Sequence, residues 1–122
     1  MNIFISHSRE FEYRTELYEP IKKSDLFSLH TFIFPHENNS FRSTKDEIRT
    51  CDVVIAEVSF PSTGVGIELG WANSFGKPTI CLHKKDSHPS SSLKAVSAEF
   101  IMYDNASDMV KKLSEALANS NI

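Results

Sequence analysis

Asp52-Val53-Val54-Ile55-Ala56-Glu57-Val58-Ser59-Phe60-Pro61-Ser62-Thr63-Gly64-Val65-Gly66-Ile67-Glu68-Leu69-Gly70 is the stretch that decides the fold. Its first half is a nearly unbroken apolar run over Asp52–Val58, as expected for a strand covered on both faces. Its second half turns through Pro61 and Ser62 into a helix predicted over Gly64–Phe75, ended by Gly76 with Pro78 just beyond. Thr79–Leu82 reads as the next buried strand. Strand, helix and strand in this order make a parallel unit with a right-handed crossover.

The same alternation continues on both sides. Asn2–Ile5 reads as a first strand, and Glu10–Lys23 as a helix with Phe11, Leu17, Tyr18 and Ile21 close to one face and a kink or a broken final turn at Pro20. Thr31–Phe34 is a short strand stopped by Pro35. Thr44–Thr50 is a short helix, because Thr44-Lys45-Asp46-Glu47 fits a capping box. Phe100–Tyr103 is the last strand. The final helix runs to about Ala118, with Asn105 as its cap and Met109, Val110, Leu113 and Leu117 facing inward. The expected fold is a single α/β domain over residues 1–122, a flavodoxin-like three-layer αβα sandwich on a five-stranded, mainly parallel sheet. Ligands of such sheets lie outside the carboxyl ends of the strands, which singles out the loops Ser6–Arg9, Pro35–Asn39, Ser59–Gly66 and His83–Ser92.

Composition narrows the partners. A chain of 122 residues holds one core, and nine Phe are ample to fill it. A net charge of −3 argues against a nucleic acid polymer, whose phosphates demand a basic face, but not against a small phosphorylated ligand. No basic or apolar leader precedes Asn2, and no apolar stretch reaches the ~20 residues needed to cross a bilayer, so a cytoplasmic protein without a membrane partner is expected. Cys51 and Cys81 lie in or beside apolar runs and read as two buried thiols of a reducing compartment. No His, Cys or Asp cluster has metal-ligand spacing, so neither a metal nor a cofactor is expected.

All four glycines lie between residues 64 and 76. The turn at Gly64 and Gly66 leaves a buried strand and enters a helix, where free N–H groups can bind an anion. It is neither a dinucleotide fingerprint nor a Walker loop, since Leu69 stands where the third glycine belongs and no Gly-Lys-Ser/Thr follows. Glu68 falls in the first turn of the predicted helix, where the dipole favours its ionised form. Such a carboxylate suits attack on a glycosidic carbon or stabilisation of an oxocarbenium ion. It equally suits a residue that only helps the helix start.

Residues 52–82, with Ala-Glu-Val, Pro-Ser, Gly-Val-Gly, Glu-Leu-Gly and Gly-Lys-Pro in order, closely resemble the nucleoside 2-deoxyribosyltransferase superfamily, and within it the 2′-deoxynucleoside 5′-phosphate N-hydrolase branch. The resemblance implies cleavage of the N-glycosidic bond of a nucleoside, deoxynucleoside or 5′-monophosphate, by hydrolysis or base transfer. It implies that Glu68 is the nucleophile, that Ser62 contacts a 5′-phosphate, and that a homodimer completes the site. Ser62 can also be an ordinary helix cap. Ser92, in the serine-rich Ser90–Ser92 loop, is the candidate contact to the partner subunit, although such a loop is more often plain surface.

Two departures from the family pattern stand out. The family's second catalytic residue, an Asp eight positions before Asp52, is here Thr44; Asp46 is the carboxylate that a two-residue shift would bring there. The first loop reads Ser6-His7-Ser8-Arg9-Glu10 rather than a glycine-flanked turn, so Ser6, His7 and Arg9 are candidates for phosphate or base contact. His36 is a further candidate from the second strand's loop. Trp71 reads as packing before base stacking, and Asp52 and Glu57 as residues framing the strand. The missing Asp keeps open a nucleotide-binding module with weak turnover. Phe4-Ile5-Ser6-His7-Ser8 faintly resembles the opening of Toll/interleukin-receptor domains, which implies a third possibility, an NAD glycohydrolase or signalling domain.

Overall fold

The computed structural model describes residues 1–37 and 41–119. The strands are β1 (Asn2–His7), β2 (Thr31–Ile33), β3 (Val53–Glu57), β4 (Thr79–Lys84) and β5 (Glu99–Tyr103), in one sheet of order β2-β1-β3-β4-β5. Every neighbouring pair is parallel, so the sheet is wholly rather than mainly parallel. The chain steps outward from β1 to β2, then returns to place β3 on the other side of β1. The strand order therefore reverses between β1 and β3, where His7 registers with Glu57.

β1 and β3 are covered on both faces: Ile3, Phe4, Ile5, Val53, Val54, Ile55 and Ala56 are fully buried. Successive side chains point to opposite faces, and this sorts the core into two clusters. Ile3, Ile5, Val53, Ile55, Ile80 and Leu82 pack with Leu17, Ile21, Met109, Leu113 and Leu117. Phe4, Val54, Ala56 and Cys81 pack with Ile48, Val65, Leu69 and Ala72. Short helices α1 (Glu19–Lys22) and α2 (Leu26–Leu29) and the long α5 (Ala106–Ala118) thus lie on the first face; α3 (Lys45–Thr50) and α4 (Thr63–Ser74) lie on the second. This is the expected three-layer sandwich. Each fully buried Leu or Met of α5 contributes about 1.5–3 kcal/mol.

Local signals account for most boundaries. Asn105 caps α5, its Oδ1 accepting the Asp108 N–H at 2.9 Å. Ser62 caps α4, so that helix starts at Thr63, one residue before the predicted start. Gly76 has φ +69°, a left-handed geometry that glycine adopts without strain, and it stops α4. Cys51 and Cys81 are buried and free. No helix among the described residues is long and apolar enough to cross a membrane.

Two expectations need correction. The helix predicted over Glu10–Lys23 is shorter and not uniformly α: a wide π-helical turn covers Arg14–Tyr18 and runs straight into α1, Tyr18 and Glu19 both having helical φ and ψ. Pro20 has no N–H to give, and the regular α pattern breaks just before it, where the Glu19 N–H bonds the Arg14 carbonyl in the wider π turn. Thr44 occupies the cap position of α3, but its side chain makes no capping bond. It is used elsewhere.

Candidate functional site

A cavity of about 660 Å³ opens beyond the carboxyl ends of β1, β2 and β3. His7, Ser8, Arg9 and Glu10 reach it from the turn after β1, Pro35 and His36 from the turn after β2, and Phe41, Arg42, Ser43 and Thr44 from the segment entering α3. Pro61 and Ser62 border it from the turn after β3, and Thr63, Gly64, Ile67, Glu68 and Trp71 from α4. Of the loops singled out by strand polarity, the first three contribute and His83–Ser92 does not. Asn38 and Asn39 lie outside the described residues.

Glu68 faces this cavity from a half-buried position on α4. Ser6, buried at the end of β1, donates its hydroxyl to Oε1 at 2.7 Å, and Thr44 donates to Oε2 at 2.6 Å. With both oxygens accepting, the carboxylate is fixed in orientation. Because α4 begins at Thr63, Glu68 lies past the first turn, where the helix dipole has faded. Burial therefore dominates and pushes its carboxyl above the usual range, the Thr44 and Ser6 hydrogen bonds oppose that, and the Glu47 charge adds to it. The ionised state expected from the dipole is instead supported by two hydroxyls against desolvation.

Around Glu68 the predicted residues divide. Ser62 borders the cavity while its Oγ accepts the Val65 N–H at 3.3 Å, so it is both cap and lining. Gly64 also borders it, and a Cβ there would meet only Ser62 Oγ at 3.8 Å. Gly66 does not line the cavity; its N–H is spent on the Ser62 carbonyl at 3.1 Å. Arg9 and His36 meet at the rim, with an Arg9 guanidinium nitrogen 3.5 Å from His36 Nδ1.

His7 borders the cavity but is not the free donor expected of it. Its Nδ1 lies 2.9 Å from the Ser8 carbonyl, which can only accept, so Nδ1 carries the proton. Nε2 then accepts from the Tyr18 hydroxyl at 2.6 Å. Burial lowers the His7 pKa to about 4, which keeps the ring neutral. Its ring stacks on Tyr13 with centroids 4.3 Å apart and meets His36 edge-on at 4.8 Å.

Asp46 is not brought to the site. It lies on the outer side of α3, 85% exposed and paired with Arg49, because two residues along the helix from Thr44 the side chain is turned toward water. Ser92 is exposed in a 3₁₀ turn at Ser91–Ala95 and does not line the cavity. Among the described residues, no group of three or more His, Cys, Asp or Glu could hold a metal ion.

The sequence reading passed over three contributors. Thr44 stood at a position where the resemblance demands a carboxylate, and that was the available signal. Tyr18 read as core and is core, yet its hydroxyl sets the His7 tautomer. Glu57, fully buried at the end of β3, accepts from the Ser59 N–H at 2.7 Å, from Ser59 Oγ at 2.9 Å and from the Tyr103 hydroxyl. It thereby anchors the start of the turn that carries Ser62.

The family model described as nucleoside 2-deoxyribosyltransferase matches residues 9–119. The chain is 55% identical over 40 residues to a mouse 5-hydroxymethyl-dUMP N-hydrolase, covering 33% of this chain and 23% of that protein. It is 33% identical over 78 residues to a protein of Syntrophotalea carbinolica named putative 2′-deoxynucleoside 5′-phosphate N-hydrolase 1, covering 62% of this chain and 55% of that one. The matched part thus spans between a quarter and just over half of these curated relatives. Among solved structures, a Clostridium botulinum CMP N-glycosidase superposes with a TM-score of 0.69 at 24% identity, covering 94% of this chain and 98% of that one.

Proposed function

The chain belongs to the nucleoside 2-deoxyribosyltransferase family, and from that premise we propose that it cleaves the N-glycosidic bond of a nucleoside 5′-monophosphate with Glu68 as nucleophile. One observation carries the reading: Glu68, pinned by Ser6 and Thr44, presents its carboxylate to a cavity large enough for a nucleotide. A Glu68 oxygen forms a bond to C1′ as the C1′–N bond breaks, and the base departs with the electron pair. Water then attacks C1′, loses a proton to solvent and returns Glu68 as the carboxylate. A second base attacking in place of water gives transfer.

Phosphate is assigned to Arg9, Ser62 and the first N–H groups of α4 around Gly64, a cation, a hydroxyl and helix-end donors that all border the cavity. The relatives' names, N-hydrolases of deoxynucleoside 5′-phosphates, support hydrolysis of a phosphorylated substrate. A homodimer, with Ser92 reaching the partner's cavity, belongs to the same reading and is tested by sedimentation of wild type and a Ser92→Glu variant.

The test is release of free base from a panel of nucleosides and 5′-monophosphates, followed by chromatography. Release abolished in Glu68→Gln supports the proposal. Thr44 in place of a carboxylate favours a second reading, a nucleotide-binding module, and saturable binding without release would establish that instead.

A further inference from the structure

Departure of a neutral base leaves an anion on its ring nitrogen, and enzymes ordinarily relieve this with a positioned acid. The titratable side chains bordering the cavity are His7, Arg9, Glu10, His36, Arg42 and Glu68. Arginines do not give up protons. His7 is locked as the neutral Nδ1–H tautomer with both nitrogens engaged, at 2.9 Å to the Ser8 carbonyl and 2.6 Å to Tyr18 Oη. His36 is held neutral by burial and by the charges of Arg9, Arg42 and Arg14. Glu10 is solvent-exposed, and its backbone N–H, not its carboxylate, bonds Ser8 Oγ. Residues 38–40, Asn-Asn-Ser, add no acid. At 2.6 Å from Glu68, where a second carboxyl could share a proton with it, stands the Thr44 hydroxyl, whose own proton is already committed to Glu68 Oε2.

A second observation points the same way. The half-buried Glu68 carboxylate faces a cavity bordered by the rings of His7, Phe41 and Trp71. An anion beside aromatic side chains suits a flat cation. The rim arginines do not repel such a base if they hold the phosphate, and Arg42 is already paired with Glu47 at 3.1 Å.

We infer that this site, resting on the N-glycosidase reading above, is built for nucleotides whose base leaves without receiving a proton, foremost those with a positively charged pyridinium base. Glu68 bonds to C1′, the C1′–N⁺ bond breaks, and its electron pair neutralises the ring, so the base departs as a neutral pyridine. Water completes the cycle, its proton passing to solvent. A neutral uracil or cytosine nucleotide must instead release an anion.

Nicotinamide mononucleotide and dUMP are incubated with the full chain at neutral pH, and free base is measured. The expected result is release from the pyridinium nucleotide about 10²-fold or more faster, the scale of the missing acid's contribution. In Thr44→Asp the ratio of the two rates falls by about 10²-fold, because the introduced carboxyl shares a proton with Glu68 and supplies the acid. Should that variant not fold, the wild-type rates on dUMP, 5-fluoro-dUMP and 5-nitro-dUMP decide, and they must climb with the acidity of the leaving base. Equal rates for the pyridinium and uracil nucleotides, with both lost in Glu68→Gln, overturn this inference and leave the N-glycosidase reading standing. No release from any substrate, or release unchanged in Glu68→Gln, overturns that reading itself.

Discussion

Tyr18 donates its hydroxyl proton to Nε2 of His7 at 2.6 Å, and the same oxygen accepts the backbone N–H of His36 at 3.1 Å. One buried phenol therefore ties the end of β1 to the turn after β2. Tyr18 is the last residue of the π-helical turn and is buried there.

Removing that hydroxyl has two expected consequences. Tyr18→Phe leaves His7 Nε2 and the His36 N–H without their partner, which costs about 1–3 kcal/mol in a urea titration at neutral pH. The His7 pKa, followed by nitrogen NMR, stays well below the usual value, because burial is what lowers it and phenylalanine keeps the ring buried.

Acid should act on the fold through His7. Its pKa is about 4 folded against 6.5 unfolded, so between these values the unfolded chain binds more protons. The stability it contributes is full above pH 6.5 and is lost as pH falls toward 4, by roughly 3 kcal/mol in total. Urea midpoints of wild type and His7→Leu, compared across that window, isolate the effect. Wild type should lose ground to the variant as the solution is acidified.

Glu57 has the opposite sign. Burial raises its pKa above the ordinary 4.5, with the Tyr103 and Ser59 hydrogen bonds and the Lys84 charge opposing. Its contribution is therefore full below that value and lost as pH rises through the folded pKa. Glu57→Gln is neutral throughout and presents an amide nitrogen to donors, so it should cost about 1–3 kcal/mol at pH 5. The gap between variant and wild type should narrow by pH 8.

For base release, Thr44→Val is the informative change. Loss of the 2.6 Å bond to Oε2 removes a group that favours ionised Glu68, so its pKa rises further. The acid limb of the pH–rate profile, where activity falls as Glu68 protonates, should move to higher pH. A limb that stays in place would separate the titrating group from Glu68.

By itself the order of residues determined the architecture and the location of the candidate site. The apolar run Val53–Val58, the cap at Ser62, the stop at Gly76 and the cap at Asn105 are local signals, and each acts within a turn or a strand. Parallel strands with helical crossovers then leave few sheets to choose from, and Glu68 follows the switch strand in all of them. What tertiary structure alone decided is who touches Glu68. Ser6 and Thr44 lie 62 and 24 residues away in sequence, and no periodicity links a strand end, a helix cap and a second helix. The capping box expected at Thr44 does not form, because a half-buried carboxylate gains more from a hydroxyl than a solvent-accessible helix end does. The same holds for Asp46, two residues along a helix and so turned to water, and for His7, whose chemistry was set by a phenol eleven residues on.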